Sequence, residues 1–292
     1  MASVVAIGLF VGTSLDNETA HLEVRGIRAA WVPQNDSPGI VATFDLVNHG
    51  ALKAELTEIR YTAELNGAVA DDGAHAYRAT LLPGASHEVP LDVRLSEAAI
   101  IAWWDGLVQG EEVRLRLHGT VNGSAGPNDL SVPFDWTTER AGKPAATIED
   151  LAPACTANDL PCLESVQFGL VTDARQLPIK IILKAPDQTR ADLADLALSL
   201  RLGDVIVAEA RGEDVSVYGG YRVELPLDLE VSAPALTTWL PDHLARCETS
   251  PVTLDLSYNV TLTNLTSVRT SRVTEAIQGS PWSTSLLCRP ES

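Results

Sequence analysis

Val89-Pro-Leu-Asp-Val-Arg-Leu-Ser-Glu-Ala-Ala-Ile-Ile-Ala-Trp-Trp-Asp-Gly-Leu107 occurs twice in this chain, and the repeat decides the fold. Its echo is Leu225-Pro-Leu-Asp-Leu-Glu-Val-Ser-Ala-Pro-Ala-Leu-Thr-Thr-Trp-Leu-Pro-Asp-His243, 136 residues on (Val89 to Leu225). In the first copy Val89, Leu91, Val93 and Leu95 alternate with polar residues or Pro; in the second, Leu225, Leu227, Leu229 and Val231 do so. A period of two predicts a strand with one buried face. The period then changes. Ile100, Trp103, Trp104 and Leu107 stand at i, i+3, i+4 and i+7, the stripe of an amphipathic helix, and Leu236, Trp239 and Leu240 repeat its first three places. Ser96 and Ser232 sit where an N-cap belongs.

The repeat extends on both sides. Ile59, Tyr61, Ala63 and Leu65 form a buried face that runs into Asn66-Gly67, a hairpin signal. Leu196, Leu198, Leu200 and Leu202 answer them 137 residues later and run into Gly203-Asp204. Upstream, Ile40, Ala42, Phe44 and Leu46 make another face; Pro83-Gly84 marks a turn. After the helix, Val113-Arg-Leu-Arg-Leu pairs with Val252-Thr-Leu-Asp-Leu, which raises the offset to 139 and implies a loop insertion. A period this long, with a full set of strands and a helix, means tandem domains and not a solenoid. The expected division is residues 1–20 as an apolar segment and linker, 21–140 as the first unit, 141–165 as a Pro-punctuated linker, and 166–292 as the second unit. About seven short strands and one helix in each unit predict a mainly β protein: two antiparallel β-sandwiches of immunoglobulin or fibronectin-III type.

The motifs fall in an order that carries a resemblance. Phe44-Asp-Leu-Val-Asn-His-Gly50, Leu65-Asn-Gly67, Leu81-Leu-Pro-Gly84, Val89-Pro-Leu-Asp-Val93 and Val132-Pro-Phe134 follow the pattern of a water-stress and hypersensitive-response (WHy) domain. The chain therefore resembles the late-embryogenesis-abundant (LEA) type 2 family over about 240 residues. It departs where the family has Asn-Pro: the first unit has Asn48-His49 and the second Ala185-Pro186. The second unit also closes on Ser280-Pro-Trp282 and not on Pro-Phe. The resemblance implies a sandwich without cofactor or catalytic residues, a role in desiccation or other water stress, and, as in several relatives, a single-pass membrane anchor.

Composition limits the partners. Net charge is −18, with 39 acidic residues against 21 basic ones. Such a surface repels nucleic acid and anionic lipid head groups, which discounts both as partners. The basic residues are 17 Arg and 4 Lys, which fits growth in high salt or a GC-rich genome. Hydrophobic content of 45% is enough for packed cores. Residues 2–14 are apolar and uncharged but too few to span a bilayer, which takes about 20. They fit the outer end of a membrane anchor continuing upstream of Met1, the favoured expectation, or a strand that pairs with a neighbour and drives self-association.

A search for chemistry finds little. His21, His49, His75, His87, His118 and His243 have no metal spacing to one another or to Cys, and each reads as a solvated or turn histidine. Asp71-Asp72-Gly73 reads as a turn and not a calcium loop. No nucleophile elbow or phosphate-cradling glycine loop occurs. Trp103 and Trp104 could form a ligand platform, but their helical spacing favours the core. The expectation is a non-enzymatic protein without metal or cofactor. Four cysteines allow three pairings. Proximity favours Cys155–Cys162, seven residues apart, and Cys247–Cys288, 41 apart. Loops of these sizes would stabilise by about 2.5 and about 4 kcal/mol in the chain-entropy model. Asn17, Asn35, Asn122, Asn259 and Asn264 begin Asn-x-Ser/Thr triplets, acceptors for a glycan in a surface protein. Asn259 is expected to face solvent. Together these features point to an extracytoplasmic, membrane-anchored stress or envelope protein. An adhesive protein built by strand addition and an apolar-ligand or lipid-binding module are the alternatives.

Overall fold

Alternating apolar residues give strands here wherever a bulge does not shift the phase, as the computed structural model of the chain shows. It describes residues 21–34, 37–141, 160–187, 189–284 and 287. Residues 1–20, Asn35, Cys155 and Cys288 lie outside these, so the expectations for the apolar segment, two of the acceptors and two of the cysteines fall outside the described structure.

Two compact units emerge from the contacts, dividing at Ala141/Gly142, with Trp104–Glu111 grouped in the second. The first holds β1 (Leu22–Gln34), β2 (Ser37–Asn48), β3 (Ala54–Leu65), β4 (Ala68–Leu81), β5 (Ser86–Arg94), β6 (Glu112–Ala125) and β7 (Asn128–Ala141). They form two antiparallel sheets, β1-β2-β5 and β4-β3-β6-β7. The helix α1 (Glu97–Gln109) follows β5. Phe44 on β2 meets Phe134 on β7 edge-on, ring centroids 4.9 Å apart, so the two sheets share one core.

The second unit holds β8 (Cys162–Phe168), β9 (Gln176–Lys184), β10 (Arg190–Leu202), β11 (Val205–Arg211), β12 (Val215–Val217), β13 (Arg222–Val231), β14 (Thr249–Thr263) and β15 (Val268–Ser283). The helix α2 (Ala233–Ala245) follows β13. Strand order is β15-β14-β10-β11-β13-β9-β8, with β12 added on β10. The groups β8-β9-β13 and β11-β10-β14-β15 reproduce the two sheets of the first unit in sequence order. They are joined through two residue pairs between β11 and β13, Ala208↔Val231 and Glu209↔Glu230. Cys162 is the first residue of β8 and not part of a linker that runs to residue 165. Strands of up to 16 residues replace the short ones expected.

Register corrects the alignment of the repeats. Leu65 pairs with Leu115 in the first unit, and Leu202 with Val252 in the second. The offset after the helix is therefore 137 (115 to 252), the same as before it, and not 139. A slip of two residues keeps every side chain on its face, so alternation alone could not detect it. The two copies also share a bulge. Register shifts between Leu56 and Glu58 in β3 and between Ala194 and Ala197 in β10, which lets Leu56 and Ile59 share the buried face, as Leu193 and Leu196 do. A third shift between Val24 and Gly26 does the same for Val24 and Ile27 in β1.

Both helices are capped as expected. Ser96 Oγ accepts from the Ala99 amide at 3.2 Å, and Ser232 Oγ from the Ala235 amide at 3.3 Å. Trp103 and Trp104 are buried. The copies differ most at Gly119 and Gly123 of β6. A Cβ at Gly119 would lie 2.0 Å from the Arg60 carbonyl oxygen, and one at Gly123 2.5 Å from that of Glu55. At the same register the second unit has Leu256 and Val260, both buried. No helix among the described residues is long and apolar enough to cross a membrane.

Candidate functional site

The helical stripe of α2 ends on a polar residue. His243 stands seven residues after Leu236, where the first copy has Leu107, and it is fully buried. This overturns the reading of His243 as a solvated or turn histidine. Its Nδ1 lies 2.9 Å from Ser250 Oγ, and its Nε2 2.9 Å from Thr284 Oγ1. Thr284 Oγ1 in turn donates to Glu248 Oε2 at 2.9 Å, and Trp239 Nε1 donates to Ser250 Oγ at 2.9 Å. Glu248, Ser250 and Thr284 are buried as well. Desolvation lowers the His243 pKa to about 3, so the imidazole is neutral at physiological pH. Trp239 and Trp282 stack beside it, centroids 6.3 Å apart, and Trp104, grouped in this unit, meets both edge-on. Cys247 and Glu248, with φ of 53° and 56°, turn the chain out of α2 through two consecutive left-handed residues. A hydroxyl, an imidazole and a carboxylate in line have the composition of a proton relay. Here that line is sealed in the core and braces α2 against β14 and the residue that follows β15.

Cys162 and Cys247 are both disulfide-bonded, and no free cysteine occurs among the described residues. Among the acceptors, Asn122 and Asn259 occupy the same register position in the two units. Asn122 Nδ2 donates to Glu58 Oε1 at 3.2 Å, and Asn259 Nδ2 to Asp195 Oδ2 at 2.7 Å. Each acid sits at the shared bulge, and Asn259 is half-buried. Asn264 is exposed at the β14–β15 hairpin. Asn48, in the departed family motif, is buried. Its Nδ2 donates to the carbonyls of Leu52 and Leu81 at 2.8 and 2.9 Å, and its Oδ1 accepts from the Gly50 amide at 3.0 Å. It pins the loop after β2 to the turn after β4.

Of the other histidines, His49 Nε2 lies 2.6 Å from Glu23 Oε2, and His87 Nε2 lies 2.8 Å from the Tyr77 hydroxyl, both at the surface. His118 is half-buried on its strand. No group of three or more His, Cys, Asp or Glu among the described residues is placed to hold a metal ion. In the second unit, β11 and β13 part after their two paired residues and leave a groove of about 830 Å³. Phe168, Ile179, Leu225 and Leu227 line it, with Lys180 and Arg211 among its polar residues.

No family model matches the chain, and no curated protein matches it. Among solved structures it is similar to a protein from Archaeoglobus fulgidus, at 23% identity over 42% of this chain and 98% of that one, with a TM-score of 0.36. It is also similar to the transglutaminase of red sea bream, at 10% identity over 87% of this chain and 30% of that one, with a TM-score of 0.23.

Proposed function

We propose that this chain is a non-catalytic protein of the cell envelope, built of two immunoglobulin- or fibronectin-III-like sandwiches, that acts outside the cytoplasm under water or salt stress. The observation that carries the non-catalytic reading is the burial of the Ser250–His243–Thr284–Glu248 line. The set of groups best composed for chemistry is out of reach of any substrate and acts as a brace. The repeated order of three-stranded and four-stranded sheets supports the sandwich reading. Disulfide-bonded Cys162 and Cys247 support an oxidising compartment, since cytosolic thiols are kept reduced. The resemblance to the LEA type 2 family supplies the stress role, and residues 2–14 the membrane anchor.

The test has two parts. Intact cells of the native source are treated with an impermeant amine-reactive label, and the labelled chain is sought. The purified protein is then dried with a labile reporter enzyme. The reading expects labelling of the chain, and recovery of reporter activity severalfold above that with albumin at equal mass. Absence of label refutes the location; protection no better than albumin refutes the stress role.

The groove between β11 and β13 favours a second reading, an apolar-ligand module. A fluorescent fatty acid that binds saturably, and loses binding in Leu227→Asp, would replace the first reading with this one. Strand addition has less support at β13, where Pro226 removes a ladder donor.

A further inference from the structure

Four of the six large apolar side chains that the second unit exposes among the described residues lie at one end of it, Leu170 and Ile206 standing elsewhere. Leu265 is 105% exposed, Tyr221 73%, Val268 70% and Tyr218 56%. Sheet register places them together. Val217 pairs with Ala191, which pairs with Leu262, which pairs with Arg269. One residue further out, Arg190 pairs with Thr263, and Thr263 with Val268. The Arg190 guanidinium lies over the Tyr218 ring, 5.6 Å from its centroid. Tyr221 closes the adjacent turn through its amide to the Tyr218 carbonyl at 2.9 Å. Leu265 tops the hairpin between β14 and β15. The result is a ridge made of two turn tips and not a groove.

We propose that this ridge is a membrane-contact surface that lowers Leu265, Val268, Tyr218 and Tyr221 into the interface of an anionic bilayer. The inference goes beyond the envelope reading and does not use residues 2–14. Two observations select a bilayer as the occupant. The first is polar satisfaction at the tips. Asn264 Oδ1 accepts from the amides of Thr266 and Ser267 at 2.9 and 2.8 Å and from both hydroxyls at 3.1 Å, while the Asn264 amide donates to the Ser267 carbonyl at 3.1 Å. A hairpin tip closed on itself can leave water at lower cost, because its backbone groups bring their partners along. Nothing in a soluble turn requires a fully exposed Leu at such a tip. The second is charge. In a chain with 39 acidic and 21 basic residues, this end carries Lys184, Arg190, Arg222 and Arg269, all exposed. Arg222 pairs with Lys184 across β13 and β9, next to Tyr221. Asp192 and Glu164 pair with Arg190 and Arg222, and Asp187 is also present, so this end carries four basic groups against three acidic ones while the whole chain is −18. Lys and Arg side chains around Tyr and aliphatic tips match the headgroup layer, where Tyr settles and anionic lipid attracts Lys and Arg.

The test uses the full chain in flotation with vesicles of phosphatidylcholine alone or with 30% phosphatidylglycerol, at ~0.1 M salt. Leu265→Ser/Val268→Ser should lower the bound fraction on anionic vesicles at least tenfold, the effect of withdrawing two aliphatic side chains from an apolar phase. Leu170→Ser, at another exposed leucine, should leave binding unchanged. Arg190→Ala/Arg269→Ala should reduce the preference for anionic over neutral vesicles severalfold. Undiminished binding of the double Ser variant would overturn the proposal and leave binding to residues 2–14. So would a lipid-free dimer that the same variant dissolves, since a second copy would then cover the ridge. So would a glycan on Asn264 in protein from the native source, since it would hold the tip away from lipid. Failure here leaves labelling and drying protection untouched, so the two readings fall separately.

Discussion

Burial keeps the His243 imidazole neutral, with a pKa of about 3, whereas an unfolded chain takes up that proton near 6.5. As pH falls, the unfolded state is protonated first. The contribution of His243 is therefore fully present above pH ~6.5 and is lost progressively down to about 3, with an upper limit of about 5 kcal/mol. Urea unfolding at pH 7 and pH 4 should show a drop for the native chain and a clearly smaller one for His243→Gln. Glu275, whose carboxyl burial raises, works against this trend, since it favours the folded state at low pH and stops doing so as pH rises through its folded pKa. Asn48→Ala should cost about 2–4 kcal/mol, because it leaves the buried Leu81 carbonyl, the part-buried Leu52 carbonyl and the Gly50 amide without their side-chain partner. Asn259→Ala should cost about 1 kcal/mol in unglycosylated protein, through the lost bond to Asp195. A change within error would leave the acceptor triplet as the only reason for that Asn. The reading of His243 as a solvated or turn histidine missed a signal in the sequence, its place at i+7 of the stripe begun by Leu236. Its partners were not legible, because Ser250 in β14 and Thr284 just after β15 reach it from 7 and 41 residues away, which no local pattern encodes.

Elements were legible where local rules act alone. Ser96 and Ser232 cap their helices from positions that the change of period marks, and Ser96→Ala or Ser232→Ala should each cost about 1 kcal/mol in chemical denaturation. Trp103→Ala should cost roughly 3–5 kcal/mol as a core truncation; a loss below about 1 would put Trp103 outside the core. Strand faces followed from alternation except at bulges, where Leu193 and Leu196 share a face although three residues separate them. Pairing between β11 and β13 had no signature at all. It rests on Ala208↔Val231 and Glu209↔Glu230, pairs distant in sequence that no local pattern encodes.

At the scale of the whole molecule, 39 acidic groups repel one another, and added salt screens them. The thermal midpoint should rise between ~0.1 and 2 M sodium chloride, and scanning calorimetry would detect it; a flat profile would separate the acidic surface from any salt adaptation. Pairing of Cys155 with Cys162 and of Cys247 with Cys288 should appear in a non-reducing peptide map, and reductant should lower the midpoint. Four alkylatable thiols in protein from the native source would refute both the pairing and the oxidising compartment. Gly119 and Gly123 bear on heredity. Two tandem copies of one domain invite recombination between them, and most of their strands would survive the exchange. A chain that received the β14 sequence in place of β6 would carry Leu256 and Val260 at Gly119 and Gly123, with side chains driven into the carbonyls of Arg60 and Glu55. Such recombinants should fail to fold, so each copy is free to diverge while the other cannot overwrite it.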